Sequence, residues 1–438
     1  MSLLTTFTTD DQTAYLRTLP AIRERCSRVF KLAEQNKLEY FDYHPEKEKD
    51  VVEFCINIIK RDFGSNFTSI PPHGRWRHLD AGRARIEPLI AQWKSSEQSI
   101  SETEICKRLL DLFLVSVLLD AGAGNVWKYT DKEGATFARS EGLGVASVEM
   151  FERGLFSGDA TQPYRVDAEG LARVTVEQVG ESMQAGPQNP MDGLEGRASL
   201  LRNLSKTLKE GTEFFGEDAR PGNLIDFLQV QSKGSNPPTV PIAALWHALV
   251  YGLNSIWPPS RTSLNGVSLG DVWPCSALAK SNAESGQTGV DGADLVPFHK
   301  LTGWTAYSLI EPMEKILGWK FEGKEDMTGL PEYRNGGLLV DLGLVTLKPG
   351  AVPVQEATGL PKLIPSHPAI IEWRALTVIQ LDRIATLIRK NLGLEPSQLN
   401  LAQVLESATW KGGREIAKKL RPATGGPPIE IESDGTVF

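Results

Sequence analysis

Apolar positions recur at spacings of three and four through the first third of the chain, the period of a helix with one buried face. Thr13–Leu19 and Ala21–Gln35 carry this pattern, and Pro20 suits a helix start. Glu46–Phe63 repeats it through Val51, Phe54, Cys55, Ile58 and Ile59, and Asp80–Trp93 is a further amphipathic stretch. Ser101 followed by Glu104 matches a capping box. The helix it opens is apolar on nearly every side from Leu109 to Leu119, which predicts a central, buried position. Asp120-Ala121-Gly122-Ala123-Gly124 stops it, because small residues let the backbone turn and approach other groups closely.

The periodicity then loosens. A helix is expected over Leu171–Met183, another over Arg197–Lys209 and a third over Ile242–Asn254. Trp257–Asp294 is rich in Pro, Gly, Ser and Asn and predicts a long ordered loop. Leu295–Leu317 predicts a helix that Pro312 kinks or interrupts. Gly336–Leu347 reads as strand, Pro349–His367 as loop or edge hairpin, and Ala369–Leu392 as the clearest long helix. Shorter helices are expected over Leu399–Leu405 and Arg414–Leu420, and the tail alternates through Ile429 and Ile431. The fold class is therefore mainly α with a few short strands. No alternation of strand and helix supports a Rossmann-type sheet. The expected organisation is a helical region over 1–150, a helix- and loop-rich middle over 151–294 and a helical region over 295–438, sharing one core.

Composition narrows the function classes. The 438 residues are 41% hydrophobic and 23% charged, within the range of globular proteins. A formal net charge of -8 argues against general nucleic-acid binding. Cys26, Cys55, Cys106 and Cys275 are scattered without a CxxC pair, so reduced thiols in a cytoplasmic protein are expected, with neither zinc site nor disulfide framework. Met1–Asp11 lacks the basic and apolar regions of a secretory signal, and no window approaches a membrane span.

Four constellations carry chemistry. In Pro71–Asp80, His73, Arg75, Arg77 and His78 surround Trp76. Guanidiniums beside a helix start suit a phosphate or carboxylate; the plainer alternative is an ordinary loop that Asp80 caps. The spacing of the two histidines does not suggest a metal site. In Asp120–Tyr129, Asp120 and Trp127 face a cavity or merely close a helix end, and nearby Glu141 pairs with an arginine of the first group or touches substrate. In Phe298–Glu311, His299 and Lys300 lie where they can bind an anion or donate a proton, with Lys300, Trp304 and Tyr307 on one helix face.

The fourth is Leu330–Asp341, which sets Glu332, Tyr333, Arg334, Asn335 and Asp341 beside an apolar run. Charges that close to a core are costly unless paired or used. Glu332 or Asp341 is the candidate to stabilise developing positive charge or position water, while Arg334 and Arg374, the latter beside Glu372 in the long helix, can keep a carboxylate ionised. A buried structural ion-pair network is the competing reading. No GxSxG, HExxH, P-loop or Cys–His arrangement competes for the chemistry, and no cofactor or metal is expected.

The segments HGRWRHLDAG, LLDLFLVSVLLDAGAG, RSEGLGVASVEMF, NGVSLGDVWPC, LVPFHKLTGW, MTGLPEYRNGGLLVDLG, EWRALTV and SDGTVF resemble the uracil catabolism protein 4 family, over nearly the whole chain from near Asp10 to Phe438. The resemblance implies participation in a pathway that degrades uracil through a ribosylated urea. FHKL, MTGLPEYR and IEWRALTVIQLDRI, in that order between Phe298 and Ile384, are also similar to the queuosine salvage proteins. Those are helical N-glycoside hydrolases distantly like DNA glycosylases. Their motif has Asp where this chain has Glu332, keeps the pair equivalent to Tyr333-Arg334, and departs at Asn335-Gly336-Gly337.

Together these resemblances imply hydrolysis of the N-ribosyl bond of ribosylurea or its 5′-phosphate, releasing urea. Glu332 is then the catalytic carboxylate, with Asp341 as alternate, and Lys300 or His299 holds ribose hydroxyls or assists proton transfer. Arg75, Arg77 and His78 bind a phosphate, and Trp76, Trp127 and Tyr333 wall in the leaving group. Two other classes remain open: an amidohydrolase attacking the ureide carbonyl, and a non-catalytic scaffold subunit.

Overall fold

A computed structural model describes residues 12–95, 100–124, 126–286 and 291–432. Met1–Asp11, Asn125 and the closing SDGTVF segment, all named above, lie outside the described residues. The molecule is mainly α, and every described strand belongs to a two-stranded pair.

The centre is the Glu102–Leu118 helix, buried from Leu109 through Leu118 and packed along the Lys300–Leu317 helix. Ser101 caps it by accepting the Glu104 N–H. One hydrophobic core runs from Leu19 to Ile429, drawing on every part of the chain between them. Each aliphatic side chain so buried contributes about 1.5–3 kcal/mol before the entropy of ordering is set against it. Pro20 occupies the first turn of the Leu19–Glu34 helix, and Pro368–Leu392 is a continuous helix.

Several expectations require correction. Gly336–Leu347 is not a strand: Tyr333–Asp341 is helix, and only Val345–Leu347 is extended, paired with Phe41–Tyr43. The helix forms because the Glu332 carboxylate accepts the first orphan N–H groups, those of Arg334 and Asn335, each at 2.6 Å. The glycine pair serves close packing instead of extension: a Cβ on Gly336 would lie 2.8 Å from the Trp373 ring. Trp257–Asp294 is not one long loop either. It holds a short Ser263–Ser268 hairpin, the Val272–Pro274 strand paired with Leu295–Pro297, and the Ser276–Glu284 helix.

Leu295–Pro297 is thus strand, and the helix expected there begins at Lys300, after His299 takes a left-handed conformation (φ 46°). Pro312 does not interrupt this helix, whose packing on the central helix outweighs one missing hydrogen bond. The 171–183 helix is split into Ala168–Ala172 and Val176–Ser182, the second started by a Thr175–Gln178 capping box. The amphipathic stretch expected from Asp80 starts at Ile86 after a four-residue Trp76–Leu79 turn; the Asp80 carboxylate reaches forward to the Arg85 and Ile86 N–H groups. The helices near residue 400 and residue 414 are one run, Leu401–Val404 and Trp410–Leu420 joined by a wide π turn over Leu405–Thr409. The tail strand Glu430–Ile431 pairs in parallel with Lys362–Leu363.

Candidate active site

A cavity of about 510 Å³ opens where many distant parts of the chain meet. Its wall takes His73 and His78 from the loop before residue 80, the Asp120–Gly124 turn, Lys300 and Trp304 from one helix, Glu332 and Tyr333 from the start of another, and Trp410. Lys362, Glu430 and Glu432 reach it from the two-stranded tail pair.

Glu332 is held rigidly. Both carboxylate oxygens accept helix N-terminal N–H groups, and the side chain is only 9% exposed. Burial raises its pKa, against the opposing pull of those N–H groups, Lys300 and Arg334. Lys300 has the reverse balance: burial lowers its pKa while Asp120 and Glu332 pull it back up. The ammonium therefore lies within electrostatic reach of two carboxylates.

Asp120 is anchored on one side only. Its Oδ2 takes Arg75 Nη1 at 2.7 Å, while its buried Oδ1 has no partner within the protein. Arg75 is fully buried and also donates to Ser116 Oγ and the Ser140 carbonyl, so it fixes Asp120 from behind the wall. His78 is 3% exposed with both ring nitrogens unpartnered; burial, then Arg75, hold its imidazole well below the ordinary histidine range, hence neutral. His73 bonds Glu406 through Nδ1 at 2.6 Å. Both histidines pack against Trp304 and Trp410. A rigid carboxylate, a half-anchored carboxylate, a cation and aromatic walls suit a small polar molecule that develops positive charge on reaction.

One buried ion pair joins the two helix starts that present Glu332 and Lys300. Asp271 accepts the Lys300 N–H at 2.8 Å and takes Arg374 in a fork, both contacts at 2.8 Å. Arg374 also donates to the Pro331 carbonyl, next to Glu332, at 3.3 Å. Although burial opposes it, Arg374 keeps Asp271 ionised, with a pKa well below the usual carboxylate range. Arg374 is thus a positioning group and does not hold Glu332 ionised by contact.

Other expected site residues lie elsewhere. Asp341 is engaged by Arg421 at 2.8 Å, at the far end of its helix. Glu372 accepts the Glu39 and Tyr40 N–H groups at 2.9 and 3.0 Å. His299 Nε2 meets the Leu16 carbonyl at 2.8 Å, and Trp127 Nε1 donates to the Met183 carbonyl. Trp76 donates to Asp80, its own near neighbour, and Arg77 pairs with Glu311. Glu141 pairs with Arg414 at 2.9 Å, not with an arginine of the 71–80 loop. Asn335 anchors its amide on the Leu330 carbonyl, and Arg334 turns away from Glu332 to the Gly425 carbonyl. The physical reason is common to these: each charge or polar group finds a partner that the folded chain brings to it. Arg139, Asp192, Trp410, Lys362, Glu430 and Glu432 line the cavity without having been singled out. Arg139 had a usable signal, since it opens the Arg139-Ser140-Glu141-Gly142 motif.

Among the described residues no group of three or more His, Cys, Asp or Glu could hold a metal ion, and no helix is long and apolar enough to cross a membrane.

Comparison with known proteins agrees with the whole-chain resemblance. The chain is 42% identical to "Uracil catabolism protein 4" of Lachancea kluyveri over 98% of this chain and 100% of that protein. It is 44% identical to "Protein urg3" of Schizosaccharomyces pombe (strain 972 / ATCC 24843) over 97% of this chain and 98% of the relative. Residues 15–438 match the family model described as "Protein of unknown function (DUF1688)". With that extent and identity, the chain belongs to the DUF1688 family, the family of uracil catabolism protein 4.

Proposed function

We propose that this chain is an enzyme of uracil catabolism that hydrolyses the N-ribosyl bond of a ribosylated urea to release urea. The observation that carries the reading is Glu332: a buried carboxylate fixed by two helix N–H groups, facing a cavity it shares with Lys300 and a half-anchored Asp120. Cleavage breaks the C1′–N bond, whose electron pair leaves with the urea nitrogen, and charge builds on C1′ and the ring oxygen. The Glu332 carboxylate stabilises that charge at a fixed position, with no reorganisation at the moment of reaction. The unpartnered Oδ1 of Asp120 takes a proton from the attacking water as its oxygen bonds to C1′, and that proton returns to Lys300 once the products leave. The Lys300 ammonium holds the urea oxygen and supplies the proton the leaving nitrogen needs; its lowered pKa suits such a donor. The aromatic faces of Trp304, Tyr333 and Trp410 enclose the small planar leaving group.

Purified protein incubated with ribosylurea or its 5′-phosphate should release sugar and urea in equal amounts. Glu332→Gln should lower that rate about a thousandfold, the scale of losing one charge-stabilising group. The variant should remain folded, with only about 1 kcal/mol lost from the weakened cap. Near-normal urea release by the variant, or ammonia appearing in place of urea, would refute the proposal.

A further inference from the structure

Beside the cavity lies a second hollow of about 290 Å³. The two share Arg139, Ser140, Tyr333 and Trp410 in their walls, so they adjoin. Their charges differ. The main cavity is lined by Asp120, Asp192, Glu332, Glu430 and Glu432 against three cations, Arg139, Lys300 and Lys362. The annex is lined by Arg139, Arg334, Arg414 and Lys418, with Glu141 as its one carboxylate among the described residues.

Glu141 is already committed to Arg414. Arg334, 6% exposed, donates to the Gly425 carbonyl, which orients the guanidinium without neutralising it. Arg139 donates to the Thr424 and Gly425 carbonyls of the same loop. Burial lowers the Arg139 pKa, and the repulsion of Arg334 and Arg414 lowers it further. Among the described residues Arg334 and Lys418 have no carboxylate partner, and like charges gathered in one hollow are costly unless an anion joins them. Three consecutive residues divide the two spaces: Glu332 lines the cavity, Tyr333 lines both, and Arg334 lines the annex. A ligand spanning them has a cation-forming centre near Glu332 and an anionic end among arginines, whose planar forks match phosphate oxygens.

We propose that the annex formed by Arg139, Arg334, Arg414 and Lys418 is a phosphate-monoester site, and that the ribosylated urea is taken as its 5′-phosphate. The identity of the sugar rests on the N-ribosyl hydrolase reading; the anion site rests on the annex alone.

Titration calorimetry on the full chain with ribose 5-phosphate, ribose and inorganic phosphate tests it. Ribose 5-phosphate should bind at least about tenfold tighter than either of the others, because it fills both spaces. Arg414→Gln combined with Lys418→Gln changes two annex residues outside the core and should weaken ribose 5-phosphate about tenfold while ribose binding stays within about twofold. An unchanged melting temperature shows that this pair still folds; in addition, wild-type binding of ribose 5-phosphate should weaken with added salt. Equal binding of ribose and ribose 5-phosphate, inorganic phosphate binding as tightly as the sugar phosphate, or a double variant with unchanged affinity would each overturn the proposal. So would equal kcat/KM for ribosylurea and its 5′-phosphate, which would leave the hydrolase reading standing. Selective ribose 5-phosphate binding without urea release from either compound would support the anion site and overturn the hydrolase reading.

Discussion

The main cavity and its annex adjoin but carry opposite balances of charge, and they reach that state by different routes. The cavity's two central groups come from segments whose chemistry is concentrated in sequence: Glu332 in LPEYRNGG and Lys300 in FHKL. The annex takes Arg139, Arg334, Arg414 and Lys418 from three separate helices. Meanwhile the basic run His73–His78 contributes only its two histidines to the cavity, because Arg75 turns to Asp120 and Arg77 to Glu311. Local density of charge therefore does not by itself decide which side chains face the cavity.

The sharpest way to break this comparison is to loosen the cavity while leaving the annex intact. Arg374→Met strands Asp271 as a buried, unpaired carboxylate and releases Pro331 from its anchor. The expected cost is about 3–5 kcal/mol of stability, read by denaturant unfolding, together with loss of urea release. A fully stable and active variant would show that the pair does not hold the two helix starts.

Next in size, Lys300→Met should reduce kcat about a hundredfold with a smaller change in KM, the pattern of a group acting mainly in the transition state. A rise in KM alone would reassign Lys300 to substrate binding.

The pH dependence gives a gentler probe. Glu332 must be ionised to stabilise positive charge, and burial raises its pKa. Urea release should therefore increase with pH through that raised value, with its acid limb above the position expected for an ordinary glutamate. The stability contribution has the opposite sign: a raised folded-state pKa favours the protonated form, so this contribution is present at low pH and is lost as pH rises through that value. Glu332→Gln should abolish this part of the stability profile, as denaturation at a series of pH values would reveal.

The smallest expected effect separates the two spaces by ionic strength. Added salt should raise KM for a phosphorylated substrate severalfold through screening at the partly exposed Arg414 and Lys418, and leave KM for the unphosphorylated one nearly unchanged. Parallel salt responses would merge cavity and annex into one undifferentiated pocket.

Much of the fold was legible. The period of three and four found the Leu19–Glu34 and Glu48–Phe63 helices, each with one buried face, and the long Pro368–Leu392 helix, while a capping box and an all-round apolar run found the central Glu102–Leu118 helix. It failed at Gly336–Leu347, where a glycine pair and Leu-Leu-Val suggested a strand and the cap supplied by Glu332 made a helix. It also missed the Ser276–Glu284 helix, whose small and polar residues bury little surface. Of the site, Glu332, Lys300, His73, His78, Asp120 and Tyr333 were found and share one wall. Asp341, Glu372, His299 and Trp127 looked equally chemical but are taken up by Arg421 and by backbone partners elsewhere.

The sequence by itself determined that this chain is helical and that its core is drawn from most of its length. Those properties follow from residue spacing and from short-range capping, which act within a few turns of chain. Only the tertiary structure decided which charges are neutralised and which are left facing a ligand. That outcome depends on desolvation and on partners such as Arg75 with Asp120 and Arg374 with Asp271, which become neighbours only when the core closes around them.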